Sequence, residues 1–139
     1  MKVLYTASAT AVGGRTGHTR TSDGVINFDL STPKEMGGPG KPGTTNPEQL
    51  FAAGYSACFG SAVDYVAKLQ KKAITGVEVN ALVSLGTTPE GGFKLAVELR
   101  VKVDGLDRAE AEALVAKAHQ VCPYSNATRN NIDVKLTVV

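Results

Sequence analysis

Cys58 and Cys122 are the only thiols in a chain of 139 residues. A pair of thiols can do redox chemistry, form a structural disulfide or hold a metal. A redox cysteine reacts as its thiolate and needs a neighbour that stabilises the negative sulfur. A structural disulfide would close a loop of about 65 residues and contribute on the order of 4 kcal/mol in the chain-entropy view. Zinc is poorly served: His119 and Cys122 lie three residues apart, only His18 and Cys58 could join them, and no paired ligand spacing is present. A plainer reading needs no chemistry, since cysteine is a common small core residue. The residue types alone do not separate these readings.

Cys58 falls midway along EQLFAAGYSACFGSAVDYVAKLQKK, which is apolar over most of a helical circumference until Asp64. Burial in such a helix raises a thiol's pKa, so Cys58 is inert without a cation nearby. Arg15 is the best candidate. It lies in a Gly-Gly-Arg-Thr-Gly turn, where backbone can approach closely. Glu48, in the first turn of the same helix as Cys58, could hold that guanidinium through two parallel hydrogen bonds. Each has an ordinary alternative: a solvated turn charge for Arg15, a favourable helix-dipole contact for Glu48. Spacing by itself does not choose between them.

The elements that must position these groups follow from changes of period. Residues 3–12 alternate loosely and read as a strand, followed by a turn at 13–17, a short strand at 18–22 and another at 25–31. Residues 32–46, rich in Gly, Pro and Thr, read as loop. Asn46-Pro47 starts a helix over 47–71, with a capping side chain and proline at the first helical position. Strands at 77–86 and 93–103 flank a turn at 87–92, the second carrying Phe93, Leu95, Val97, Leu99, Val101 and Val103 on one face. Asp107 caps an amphipathic helix, RAEAEALVAKAHQV, and Pro123 places Cys122 at its end. PYSNATRNN reads as loop and IDVKLTVV as a closing strand.

That order predicts a single α+β domain over 1–139, with mainly antiparallel sheets packed on a long buried central helix. One chain of this length can hardly cover every side of that helix. A second copy is expected to cover the rest, giving a symmetric, intertwined homodimer. Fifteen basic and thirteen acidic residues, scattered along the chain, lack the footprint of a nucleic-acid binder. The longest helical run carries Glu48, Asp64, Lys68, Lys71 and Lys72, too many charges for a membrane span. GGPGKPGTT is no phosphate loop, because proline follows the lysine where Ser or Thr is needed. MKVLYTASATAV reads as a strand rather than a leader, so the expectation is a cytoplasmic protein with reduced cysteines.

Three segments, KVLYTASATAVGGRTG (2–17), TTNPEQLFAAGYSACF (44–59) and VAKAHQVCPYSNATRNNIDV (115–134), closely resemble the organic hydroperoxide resistance proteins, a branch of the superfamily that also holds the OsmC proteins. The resemblance covers nearly the whole chain. It implies a peroxidase with Cys58 as the attacking thiol, Cys122, in the CPYS motif, as the resolving thiol, and Arg15 and Glu48 as the supporting pair. It also implies an intertwined dimer with two active sites at the subunit interface. Alkyl and fatty-acid hydroperoxides would be the substrates. Dihydrolipoamide, carried on lipoylated enzyme complexes, would be the reductant, with no bound cofactor or metal.

Helix geometry adds a constraint. Glu48 and Cys58 are ten residues apart, about 15 Å along an unbroken helix. Either the helix breaks near Gly54, or Arg15 and Glu48 reach Cys58 from the other subunit; we expect the second. Cys122, at a slightly negative helix C-terminus, is disfavoured as a thiolate and suits the resolving role. Met36 and Phe93 are the expected walls of an apolar substrate pocket, although ordinary core serves either equally well. The rival readings are an OsmC-branch peroxidase of the same chemistry and a non-catalytic module that binds an apolar ligand beside inert cysteines.

Overall fold

A strand persists only where a partner continues its ladder, and this rule shortens the first strand. The computed structural model describes residues 1–139. Strand β1 is Ala9–Val12, not 3–12. It pairs antiparallel with β2 (His18–Thr21), and the last bond beyond the ladder runs from Ser22 N–H to the Ser8 carbonyl. Residues before Ser8 have no strand opposite them in the chain. Strand β3 (Asn27–Asp29) pairs antiparallel with β2 and is also shorter than its alternation implies. The Gly/Pro loop is largely irregular, with one 3-10 turn at Lys34–Met36. Thr45 N–H donates to the Asp29 carbonyl and Ser31 N–H to that of Thr45, which folds the loop back on the end of β3.

Helix α1 (Pro47–Leu69) begins as the capping pattern predicts: Asn46 Oδ1 accepts the Gln49 N–H at 2.9 Å. It is continuous through Gly54, which excludes a break there. A Cβ at Gly54 would stand 2.8 Å from the Tyr124 hydroxyl, so the glycine makes room for an aromatic ring rather than a kink.

Strands β4 (Gly76–Thr87) and β5 (Phe93–Asp104) form a long antiparallel hairpin. Strand β6 (Val134–Val138) lies parallel to β5, a pairing that needs a crossover. The crossover consists of α2 (Arg108–Val121) and α3 (Pro123–Thr128). PYSNATRNN, expected as loop, opens with a short helix. Proline both stops α2 and starts α3, because its fixed φ and missing N–H suit the first helical position.

The chain divides into two compact units, residues 1–50 and 51–139. The second holds the main core. Tyr55, Phe59, Val63 and Val66 of α1 pack with Val97, Leu99, Val101 and Val103 of β5 and with Ala111, Leu114, Val115 and Ala118 of α2. The buried positions of α1 follow a helical stripe, whereas Tyr65 and Leu69 are 53% and 64% exposed. Within one chain, a helix apolar nearly all round is covered on one face only.

Asp107 Oδ1 accepts the Glu110 N–H at 2.8 Å and caps α2. Asp107→Ala should cost about 1 kcal/mol, read as a lower urea midpoint at unchanged m value.

Candidate active site

Helix α1 and the α2–α3 corner bring the two thiols together. Both are free, and the Cys122 S–H donates to Cys58 Sγ across 3.6 Å. A disulfide bond is about 2.05 Å long, so the sulfurs are in contact and one small movement from bonding. Cys122 is fully buried and Cys58 half-buried. Burial pushes the Cys58 thiol above its usual value and Cys122 adds to the effect, while the nearby Tyr124 backbone N–H pulls the other way.

That N–H belongs to the first turn of α3, so Cys122 is both the C-cap of α2 and the N-cap of α3. Cys122 therefore stands where one helix ends and another begins, not at a single helix C-terminus as expected. What distinguishes the two sulfurs is access.

A buried polar chain lies behind the thiols. The Tyr55 hydroxyl is 2.9 Å from Ser125 Oγ and 3.1 Å from Thr128 Oγ1, and Ser125 Oγ is 2.8 Å from His119 Nδ1. Burial lowers the His119 pKa, and the Arg129 charge lowers it further. The Arg129 guanidinium also caps the end of α2 by donating to the His119 carbonyl. Sequence reasoning missed Tyr55, Tyr124 and Ser125. The available signal was their spacing, three residues before Cys58 and two and three after Cys122.

In the N-terminal unit, Arg15 and Glu48 form the predicted fork: Nη1 to Oε2 at 2.8 Å and Nη2 to Oε1 at 2.6 Å. Arg15 sits in a 3-10 turn, Gly14–Thr16, between Gly13 at φ 80 and Gly17. A Cβ on Gly17 would fall 1.7 Å from the Val12 carbonyl oxygen, so only glycine closes this turn. The carboxylate raises the arginine pKa, and the guanidinium holds the Glu48 carboxyl below its usual range.

A cleft of about 740 Å³ is lined by Phe51, Phe93, Leu95, Tyr124 and Ile132, with Lys94 and Asn131. Tyr124 belongs to both places, with its N–H near Cys58 and its side chain in the cleft. Phe93 therefore lines an apolar cleft. Met36 does not; it ends the 3-10 turn of the Gly/Pro loop and is exposed. No three His, Cys, Asp or Glu side chains gather into a metal site.

The family model for OsmC-like proteins matches residues 38–137. An organic hydroperoxide resistance protein of Xanthomonas axonopodis pv. citri (strain 306) is 58% identical over 138 residues, covering 99% of this chain and 96% of its own. The solved structure of an organic hydroperoxide resistance protein from Legionella pneumophila superposes with a TM-score of 0.93 at 59% identity, over 99% of this chain and 98% of that one. The structure of OhrB from Bacillus subtilis gives a TM-score of 0.90 at 51% identity, over 99% and 100% of the two chains.

The Arg15–Glu48 fork should show in acid. Because the folded Glu48 pKa is lowered, its stabilisation is complete above the unfolded carboxylate value of about 4.3 and is lost as pH falls through the folded value. Glu48→Gln should therefore lower the urea midpoint at pH 7, and the gap to wild type should close as pH drops below about 4.

Proposed function

The chain belongs to the OsmC-like family, in its organic hydroperoxide resistance branch, and from this premise we propose that it is a cysteine peroxidase reducing organic hydroperoxides to alcohols. The observation that carries this reading is the contact of two free sulfurs, one half-buried and one fully buried, from separate helices. The Cys58 thiolate attacks the distal peroxide oxygen. The O–O bond breaks, sulfenic acid forms, and the alkoxide leaves and takes a proton. Cys122 condenses with the sulfenic acid, forming the disulfide and releasing water. A dithiol such as dihydrolipoamide, on a lipoylated protein, restores both thiols by exchange. The cleft beside Tyr124 receives the alkyl tail, with Phe93 in its wall.

Arg15 has two tasks in this scheme. An ordinary thiol is about 3% ionised at pH 7. Lowering its pKa by about 3 units raises the thiolate roughly thirtyfold, but a nucleophilicity slope of about 0.4–0.5 lowers intrinsic reactivity roughly 16- to 30-fold. Ionisation alone gains little. Arg15 therefore also donates hydrogen bonds to the peroxide oxygens as charge moves to the leaving alkoxide. Glu48 orients the guanidinium by the bidentate bond already in place.

Assembly follows from the same helix. Glu48 and Cys58 sit on one unbroken α1, ten residues or about 15 Å apart. The Arg15–Glu48 pair of one subunit serves the partner subunit's Cys58, and the protein works as an intertwined homodimer. In the C-terminal unit Tyr65 and Leu69 of α1 are uncovered, and in the N-terminal unit Leu4, Tyr5, Val12 and Phe28; each set is apolar surface that a second copy would bury. No helix is long and apolar enough to cross a membrane, and we place the protein in the cytoplasm.

Purified protein should oxidise dihydrolipoamide in the presence of tert-butyl hydroperoxide and do so less well with hydrogen peroxide; a preference for hydrogen peroxide would count against the apolar cleft. Mixed dimers test the assembly. Cys58→Ser subunits paired with Arg15→Ala subunits should regain one working site per dimer, and no recovery would count against a site built from two chains.

A further inference from the structure

Peroxide reduction and disulfide formation make different demands on α3. Cys58 gains an oxygen in the first step, yet Cys122 must stay within bonding reach for the second. Two polar groups at the start of α3 act on the reacting sulfur itself: the Cys122 S–H, which donates to it, and the nearby Tyr124 N–H. Both interactions change once Cys58 carries oxygen. The Tyr55 bonds to Ser125 and Thr128 involve no sulfur.

The placement of this third contact is specific. Tyr55 precedes Cys58 by three residues, Ser125 follows Cys122 by three, and His119 precedes Cys122 by three. One chain of polar groups thus ties the helix of the attacking sulfur to both helices that meet at the resolving one. Tyr55 and Ser125 are both 0% exposed, so water does not compete. One proton arrangement satisfies every member. Thr128 Oγ1–H donates to the Ser125 carbonyl at 3.2 Å, Tyr55 O–H to Thr128, Ser125 O–H to Tyr55, and His119 Nδ1–H to Ser125. Fully satisfied buried networks of this kind are rigid.

We propose that Tyr55 is a positioning residue for the resolving step, holding α3 against α1 while Cys58 is a sulfenic acid; this rests on the peroxidase reading above. In that step the Cys122 sulfur attacks the Cys58 sulfur. The S–S bond forms, the S–O bond of Cys58 breaks, and hydroxide leaves with the Cys122 proton as water. The competing reaction is oxygen transfer from a second hydroperoxide, which yields sulfinic acid and another alcohol. Tyr55 sets the partition between the two.

The test is Tyr55→Phe in the full chain, with single-turnover kinetics on tert-butyl hydroperoxide and mass analysis of the products. With phenylalanine, Ser125 O–H loses Tyr55 as its acceptor and turns to His119 Nδ1 in the other tautomer, while Thr128 still donates to the Ser125 carbonyl, so each buried hydroxyl keeps an acceptor. Loss of the tether should leave the attack step within about twofold and slow condensation about tenfold, the scale of one ordinary hydrogen bond. Sulfinic acid should then appear at about tenfold lower peroxide. A lowered melting temperature with an unchanged sulfinic-to-disulfide ratio would overturn the proposal, because a merely structural tyrosine predicts that result. Should Tyr55→Phe fail to fold, Ser125→Ala combined with Thr128→Val removes both bonds from Tyr55 to α3 and must move the ratio in the same direction; an unmoved ratio again overturns it. Wild-type protein that forms no Cys58–Cys122 disulfide with peroxide would instead overturn the peroxidase reading beneath it.

Discussion

The sulfur pair depends on a backbone corner at Cys122. Pro123 denies this residue a helical ψ, so α2 stops, and the same proline is pre-formed for the first position of α3. At φ −58 and ψ 124, Cys122 is the joint between two helices. The corner does three things at once: it aims the Cys122 thiol at Cys58, brings the Tyr124 N–H near the same sulfur, and buries Ser125 against Tyr55. A continuous helix would send these groups to different faces.

The electrostatics of Cys58 are unresolved within its own unit, and that tension organises the chemistry. Burial disfavours the thiolate, and a single backbone N–H is a weak counterweight. In the proposed cycle a full cation supplies the rest, and the candidate is Arg15, whose geometry is fixed by the Glu48 carboxylate. Helix polarity does not assign the roles of the two thiols, because opposite helix ends meet at Cys122. Access differs between them and agrees with the proposed order: Cys58 is half-buried and Cys122 fully buried against it.

Local signals in the sequence were reliable where one residue type forces one geometry. Asn46-Pro47 started α1, Asp107 capped α2, and the alternation of β5 marked its buried face at Val97, Leu99, Val101 and Val103. The Arg15–Glu48 fork was readable as a possibility from charge and turn chemistry, and geometry made it definite. The failures have a common cause, dependence on a partner that sequence does not display. Residues 3–8 alternate like a strand but have no strand opposite them. α3 is six residues long, too short for periodicity to reveal, and owes its existence to Pro123 and its packing on Tyr55. Met36, a pocket wall by expectation, is exposed at the end of the 3-10 turn in the N-terminal unit, a position that hydrophobicity alone does not indicate.

Helix α1 explains why so much of the chain reads as one unit of design. Its buried stripe from Tyr55 to Ala67 builds the core, Cys58 stands beside that stripe, Gly54 admits Tyr124, and its first turn carries Glu48. Small residues on the outer side, Ala53, Ala57 and Ser61, leave a flat face exposed in the single chain. The buried stripe and the small-residue face take opposite sides of the cylinder, with Cys58 between them, which is why the sequence looks apolar nearly all round. A substitution in one sector shifts the helix for the others, since close-packed interiors transmit displacement rather than absorb it. The position of Cys58 is therefore coupled, through its helix, to the core that anchors it and to whatever covers its outer face.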